Sequence, residues 1–185
     1  MKYDVVIVGG GLAGLSCGVK LAESGLSCAI ISAGQSALHF SSASLDLLSA
    51  LPDGQPVTEP LSALAALAHQ APAHPYSVIG ESAVRRCVSQ AMALLQQDTL
   101  PLQGSAERNH WRLTPAGQWR MSWLTPDVVP VLTEKMTADW QPAAVISITG
   151  FLDFQAEMAA AALTRQGYPA QAYTLHLPCL DKLRN

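Results

Sequence analysis

Three glycines near the start of the chain have the spacing of a phosphate-binding turn. Gly9, Gly11 and Gly14 follow the pattern Gly-x-Gly-x-x-Gly. In this pattern the first glycine allows a sharp turn, the second lets backbone approach a pyrophosphate, and the third lets a helix lie close to a strand. The chemistry that the spacing predicts is the binding of a nucleotide phosphate by backbone N–H groups.

The residues around these glycines predict the elements that such a turn needs. Val5–Val8 is an apolar run, typical of a strand buried on both faces of a parallel sheet. A helix is predicted from Leu12 to Ser24, with its positive end directed at the phosphate and with Gly25 as its C-terminal cap. Ser27–Ile31 then predicts the second strand. The alternative is a helix–strand crossing that needs small residues and binds nothing.

The residue that follows the second strand bears on which nucleotide is bound. In dinucleotide-binding folds an acidic residue about 20 positions past the glycines holds the adenosine ribose. Ser32 occupies that place here, and no arginine stands nearby to accept a 2′-phosphate. NAD and NADP are therefore disfavoured, whereas FMN, which has a phosphate but no adenosine ribose, avoids the objection.

A stretch rich in small polar residues follows, at positions 34–48. Two interpretations of its hydroxyl groups stay open. In the first, the stretch is a loop against a ligand, to which Ser41, Ser42 and Ser44 donate hydrogen bonds. In the second, Ser42 or Ser44 caps a short helix that begins at Leu45.

Composition and charge limit the class of protein. Of the 185 residues 49% are hydrophobic, which is enough for a buried core. The formal net charge is −3 and there is no run of lysine or arginine, so nucleic-acid binding is not predicted. No uninterrupted apolar stretch approaches the ~20 residues of a membrane helix, and the chain opens on a predicted strand rather than a cleavable leader. We therefore expect a cytoplasmic location.

The cysteines do not predict a metal site. The chain has four of them, and none lies in a Cys-x-x-Cys pair. Free thiols are expected, with Cys17 and Cys28 buried in the first helix and second strand.

Two helices are predicted after a surface connection rich in Pro, Gly and Asp. The first begins at Pro60 and ends before Pro72. His74–Tyr76 predicts a turn. The second helix begins near Glu81, and its apolar residues keep helical spacing as far as Leu95.

A β-hairpin and a second strand–helix–strand unit are predicted in the remaining chain. Trp111–Leu113 and Trp119–Trp123 flank Thr114–Gly117, which suits a tight turn. The tryptophans imply a packed sheet face or an interface. Residues 125–142 carry three prolines and predict a linker. The second unit consists of a strand, a helix and a strand at 143–148, 152–166 and 170–177.

Three arginines beside this hairpin are candidates for binding a substrate phosphate, because a guanidinium group binds phosphate through two parallel hydrogen bonds. They are Arg108, Arg112 and Arg120. The alternative is that they are exposed cross-strand charges. Three residues are available as general bases, although no catalytic role is assigned to any of them: His39, Asp46 and His74.

Asp4–Leu15 resembles flavoprotein oxidoreductases at large, and Gly34–Val57 is more specific. The second segment resembles the family of the B subunit of anaerobic glycerol-3-phosphate dehydrogenase, and the likeness continues through Gln70–Ser77. That family implies a flavoprotein that uses FMN, with FAD as the alternative. It also implies a FAD-bearing catalytic A subunit and a membrane-anchoring iron–sulfur C subunit, which would attach the chain to the inner face of the membrane.

The activity that this resemblance implies is oxidation of sn-glycerol 3-phosphate to dihydroxyacetone phosphate, with electrons passed to quinone for fumarate or nitrate respiration. The alternative is a non-catalytic assembly or electron-relay subunit of a respiratory complex. No metal-binding residue is predicted. The residues expected to bind the cofactor are those of the turn and the hydroxyl-rich stretch: Gly9, Gly10, Gly11, Leu12, Ala13, Gly14, Ser32, Ser41 and Ser42.

The expected fold is α/β: a Rossmann-like FAD/NAD(P)-binding parallel sheet, an inserted α+β region and a second βαβ unit. Residues 1–57 are expected to form the N-terminal half of the flavin-binding domain. Residues 58–140 are expected to form the inserted helices and hairpin, and residues 141–185 the second βαβ unit. The C-terminal half of the family's chain is expected to be absent.

Overall fold

The structure is a computed structural model that describes residues 2–95, 101–134 and 140–179. It divides into two compact units, Met1–Ser44 and Leu45–Asn185. The domain boundaries expected after residues 57 and 140 stay predictions. The helices are α1 Leu12–Glu23, α2 Leu64–Gln70, α3 Pro75–Ile79, α4 Glu81–Leu95 and α5 Ala156–Arg165, with a 3-10 helix at Ala37–Phe40. The strands are β1 Val5–Val8, β2 Cys28–Ile31, β3 Leu102–Gly104, β4 His110–Leu113, β5 Trp119–Ser122, β6 Leu124–Pro126, β7 Val131–Leu132, β8 Ala143–Ile148 and β9 Ala170–Leu175.

The first unit is the predicted strand, glycine turn, helix and strand. β1 and β2 are parallel, with Ile7 opposite Ile30. Helix α1 packs on this face, because a Cβ built on Gly18 would lie 3.0 Å from Cδ1 of Ile30. The prediction that β1 is buried on both faces is wrong: Val6 is 53% and Val8 85% exposed. In the described part of this unit, α1 covers one face of the two strands.

The cysteine prediction needs the same correction. Cys17 is exposed and Cys28 is half-buried, although both are free thiols as expected. A sheet of two strands is too narrow to cover every side of the helix that crosses it. Cys87 and Cys179 are also exposed free thiols.

The core of the second unit joins helices α2 and α4 to two segments that are distant in sequence. A helix that begins at Leu45 is not formed, which corrects the predicted capping role of Ser42 or Ser44. The Leu45 N–H group instead donates to the carbonyl of Leu124, because strand-like pairing with this distant segment uses the backbone that a helix would need. The buried members of this core are Leu48, Leu51, Val57, Leu64, Leu67, Val84, Val88, Trp123 and Leu124.

The helical region differs from the prediction at its boundaries. The first helix begins at Leu64 rather than Pro60. The turn predicted at His74–Tyr76 is the start of α3, where Nδ1 of His74 accepts the N–H group of Tyr76 at 3.1 Å as an N-cap. Pro75 occupies the first helical position, where its missing N–H group costs nothing. Helix α4 confirms the second predicted helix.

The predicted hairpin is confirmed by antiparallel pairing of β4 with β5. Its turn closes with the N–H group of Gly117 donating to Thr114, and Gly117 has a φ of +71°. A Cβ at Gly117 would lie 2.2 Å from the carbonyl oxygen of Ala159, so the turn lies directly on α5. The linker predicted at 125–142 is corrected, because β6 pairs with β3 and β7 pairs with β4 there; residues 135–139 lie outside the described residues.

The second βαβ unit is confirmed by parallel pairing of β8 with β9, with α5 between them. Tyr168 of this unit forms an aromatic cluster with two tryptophans from outside it: Trp119 lies 5.5 Å and Trp140 5.0 Å from Tyr168, ring centre to ring centre. In the described part of the chain, β1–β2 and β8–β9 are separate sheets. The architecture is therefore mixed α/β with small parallel sheets, and one continuous Rossmann-like sheet stays a prediction.

Asn109 joins separate segments of the second unit and provides a stability prediction. It is 2% exposed, and its Nδ2 donates to the carbonyls of Leu48 and Val57 at 2.8 and 2.7 Å. Asn109→Ala leaves both buried carbonyls without this partner, so we expect the free energy of unfolding to fall by about 2 kcal/mol. Denaturant unfolding followed by tryptophan fluorescence measures this, because all four tryptophans lie in this unit. Gln90→Ala, at an exposed position of α4, is the control and should change stability by less than about 0.5 kcal/mol.

Candidate functional site

The glycine turn between β1 and α1 has the backbone geometry that phosphate binding requires. Gly9 has a φ of +113°, which favours glycine, and its N–H group donates to the carbonyl of Ile31 at 2.8 Å. The turn is thereby held at the end of β2. A Cβ at Gly14 would lie 1.9 Å from the carbonyl oxygen of Gly9, so only glycine allows α1 to approach the strand this closely.

The opening of α1 leaves backbone donors available. Gly11 is the N-cap in an extended conformation, and none of the described residues caps the helix with its side chain. The N–H group of Leu15 donates to the carbonyl of Gly11, so the preceding N–H groups of the first turn lack intrahelical acceptors. Apart from its two chain neighbours, no heavy atom of the described residues lies within 4 Å of a Cβ built on Gly11. The residues present therefore fit a phosphate group, which the positive end of α1 would favour.

Ser32 lies beside this turn. A Cβ on Gly10 would be 3.1 Å from both Cβ and Oγ of Ser32, so the serine takes the place predicted for it. Its hydroxyl donates to the carbonyl of Gly34 at 2.9 Å. Ser32 therefore provides no negatively charged group that could accept hydrogen bonds from ribose hydroxyls.

The carboxylate of Asp4, just before β1, has a structural role. Oδ2 of Asp4 accepts the N–H and Oγ–H groups of Ser27 at 2.9 and 2.6 Å, and these hydrogen bonds lower the pKa of Asp4. This contact joins the starts of the two strands. Asp4 therefore stabilises the strand pair at the end opposite to the glycine turn.

The hydroxyl-rich stretch is only partly explained by local structure. Oγ of Ser41 accepts the N–H group of Ala43, which has a φ of +54°. Ser42 is exposed, and Oγ of Ser44 is buried without a hydrogen-bond partner among the described residues. Within those residues no hydrogen bond joins Ser41 or Ser42 to the glycine turn, so cofactor contacts from these two residues stay a prediction. Ser36, which sequence reasoning did not single out, caps the 3-10 helix by accepting the N–H group of Leu38.

The three arginines of the hairpin region have different surroundings. Arg108 lies 3.8 Å from a carboxylate oxygen of Glu134 and is half exposed, as an ordinary surface charge. Arg120 forms an ion pair with Asp46. Arg112 is buried, with an exposed fraction of 6%. Sequence reasoning missed the pairing of Asp46 with Arg120, since no local pattern indicates a contact across 74 positions.

The three candidate general bases do not form one cluster. Each of them takes part in a separate structural contact. Asp46 is held by Arg120 and by Ser122, whose hydroxyl donates to Oδ1 at 2.9 Å. His74 caps α3. His39 forms an edge-on contact with Phe40, with ring centres 4.8 Å apart. No catalytic role follows from these contacts.

His110, which sequence reasoning did not single out, is buried on β4. Its Nε2 lies 2.8 Å from Oγ1 of Thr125, and burial lowers the pKa of His110. It is therefore a neutral hydrogen-bonded residue of the core at neutral pH.

The side chains and helices of the described residues bear on metal binding and membrane crossing. No group of three or more His, Cys, Asp or Glu side chains in that part of the chain is arranged to hold a metal ion. None of its helices combines the length and apolar character needed to cross a membrane.

Comparison with known proteins identifies the family. The pattern of the family described as FAD binding domain matches residues 4–180. Curated relatives named as the B subunit of anaerobic glycerol-3-phosphate dehydrogenase include those of Yersinia enterocolitica, 56% identical over 186 residues, and Pectobacterium carotovorum, 55% identical over 186 residues. The relative of Actinobacillus pleuropneumoniae is 43% identical over 188 residues. Each match covers 100% of this chain, which spans 44% of the length of each relative. No solved structure matches the chain significantly. On the match across nearly its whole length, the chain belongs to the FAD binding domain family.

Proposed function

We propose that this chain binds the phosphate of a flavin at its glycine turn, as part of an oxidoreductase. The observation that carries the proposal is the uncapped start of α1, where the space beyond Gly11 is open and Gly14 lies against Gly9. Backbone N–H groups there hold the phosphate and orient the cofactor. When bound, a flavin supplies a ring that accepts hydride or electrons, while the protein supplies position and electrostatics.

The names of the relatives support a more specific role. We infer that the protein is the flavin-containing B subunit of an anaerobic glycerol-3-phosphate dehydrogenase. It would oxidise sn-glycerol 3-phosphate to dihydroxyacetone phosphate and pass electrons to quinone, in fumarate or nitrate respiration. Its partners would be a FAD-bearing catalytic A subunit and a membrane-anchoring iron–sulfur C subunit. It would lie in the cytoplasm, attached to the inner membrane face through a partner.

FMN is our proposed cofactor, with FAD as the alternative. The support for FMN is Ser32, which occupies the usual place of a ribose-binding acid and whose hydroxyl donates to Gly34. The family to which the chain belongs is described as a FAD binding domain. The two flavins therefore need a direct comparison.

Titration of the protein with FMN, FAD and riboflavin, followed by flavin fluorescence, makes that comparison. We expect FMN to bind at least as tightly as FAD. Riboflavin, which lacks the phosphate, should bind at least about tenfold more weakly, because charge-assisted hydrogen bonds to phosphate are lost. Equal affinity for riboflavin and FMN would contradict phosphate binding at the turn, and stronger binding of FAD would assign FAD as the cofactor.

A non-catalytic assembly or electron-relay subunit is the second candidate. It is favoured by the absence of an acid at Ser32 and by the structural contacts that occupy Asp46 and His74. If a Gly11 variant that cannot bind flavin still supports full turnover in the assembled complex, this second function replaces the first.

A further inference from the structure

Two arginines lie directly opposite each other in the sheet formed by β5, β4 and β7. Arg112 on β4 is the register partner of Arg120 on β5. Opposite residues of an antiparallel pair project from the same face, with Cβ atoms about 4.5–5.5 Å apart, and like charges at such positions are destabilising. A negative charge on that face would therefore offset the repulsion between the two arginines.

Asp46 supplies one negative charge beside these two positive charges, and its direct ion pair is with Arg120. Its Oδ2 pairs with Arg120 and its Oδ1 accepts the hydroxyl of Ser122 at 2.9 Å. Both carboxylate oxygens are therefore engaged. Within the described residues, the Asp46 carboxylate forms no hydrogen bond with Arg112.

Arg112 is left as a buried cation without a direct partner for its Nε. It is 6% exposed, and its Nε is buried with no hydrogen-bond partner in the described part of the chain. Burial and the nearby charge of Arg120 lower the pKa of Arg112, and Asp46 acts in the opposite direction. An arginine stays charged in proteins, and an unpaired buried charge is strongly unfavourable.

We propose that Arg112 and Arg120 form a binding site for a small soluble oxyanion of the phosphate class. Two arginines and one aspartate leave one positive charge to be neutralised. The side chain of Arg120 is 60% exposed, so solvent reaches this face of the hairpin at the position opposite the buried Arg112. A guanidinium group matches the geometry of phosphate through two parallel hydrogen bonds. This site lies within the second unit and does not include the glycine turn.

Inorganic phosphate is the probe for this site, with chloride at matched ionic strength as the reference. We expect phosphate to raise the unfolding temperature of the protein, since a ligand that binds only the native state stabilises it. Arg112→Met removes the charge with little change in volume, and such replacements of buried charges are often neutral or stabilising. We expect this variant to fold and, in a Gly11→Ser background that removes phosphate binding at the glycine turn, to bind phosphate at least about tenfold more weakly in equilibrium dialysis. Arg86→Met, at an exposed position of α4, is the matched control and should bind as the unmodified protein does.

Further variants separate this site from the glycine turn. Gly11→Ser, which blocks the turn, should leave the Arg112-dependent phosphate binding intact, so failure of the flavin proposal does not decide this one. If Arg112→Met does not fold, Arg120→Met carries the same expectation of weaker phosphate binding. Phosphate binding unchanged in the folded arginine variant would overturn the proposal, as would acetate that binds as tightly as phosphate.

Discussion

Gly14→Ala is expected to destabilise the unit Met1–Ser44 by about 3 kcal/mol. A Cβ at this position would lie 1.9 Å from the carbonyl oxygen of Gly9 and 3.3 Å from Cγ2 of Ile7. The first atom belongs to the backbone and cannot rotate away, so α1 must move off β1. Alanine gains about 1 kcal/mol of intrinsic helix propensity over glycine, which is smaller than the cost of displacing the helix.

Hydrogen exchange measures this effect where it occurs. All four tryptophans lie in Leu45–Asn185, so fluorescence does not report on the first unit. We expect the amides of β1 and β2 to exchange about a hundredfold faster in Gly14→Ala, the rate change that corresponds to this loss of stability. Gly18→Ala in the same helix is the matched control, because its Cβ would meet only side-chain ends, Cδ1 of Ile30 at 3.0 Å and Cδ1 of Ile7 at 3.5 Å. Equal exchange rates in the two variants would show that the close approach at Gly14 is not needed.

Elements that depend on neighbouring residues could be predicted from the sequence. The Val5–Val8 strand, the glycine turn and the helix from Leu12 follow from local apolar pattern and glycine spacing, and all three are present. The hairpin follows in the same way, since Thr114–Gly117 closes it within a few residues. Local periodicity and turn chemistry are sufficient for these elements because their partners are close along the chain.

Features that depend on distant segments could not be predicted. The helix expected at Leu45 is replaced by pairing with Leu124, and Asp46 meets Arg120 across 74 positions. In the first case a tertiary contact overrides local helix propensity. In the second, no local pattern indicates the partner. The exposure of Val8, at 85%, escaped prediction for a related reason. An apolar run indicates a strand but does not show how many elements cover it.

Arg112 shows that the same limit applies to candidate sites. The sequence alone did not distinguish between Arg108, Arg112 and Arg120 as phosphate-binding candidates. Strand register and burial separate them: Arg108 is near Glu134 at the surface, whereas Arg112 is buried opposite Arg120. A charged residue becomes informative only when its burial and its partners are known.

Gly11→Ser is expected to abolish most flavin affinity while leaving the protein as stable as before or more stable. Gly11 is the N-cap of α1, with a φ of −80° and a ψ of −178°, which any residue adopts. A serine at the N-cap accepts an N–H group of the first turn with its own hydroxyl, which adds about 0.3 kcal/mol of stability relative to glycine. That hydroxyl would occupy the open space and the donors that a phosphate needs. We expect the dissociation constant for FMN to rise at least about tenfold.

Gly11→Ser is expected to lower flavin affinity without lowering stability, so loss of binding by unfolding can be distinguished from loss of the phosphate site. A variant that loses flavin because it unfolds would show faster hydrogen exchange in β1 and β2, whereas Gly11→Ser should show equal or slower exchange. Gly18→Ala again serves as the control, since it alters the strand-facing side of α1 and should bind FMN as the unmodified protein does. If Gly11→Ser folds normally and keeps its affinity for FMN, the phosphate does not lie over the start of α1. Flavin binding by this chain would then have to depend on other residues.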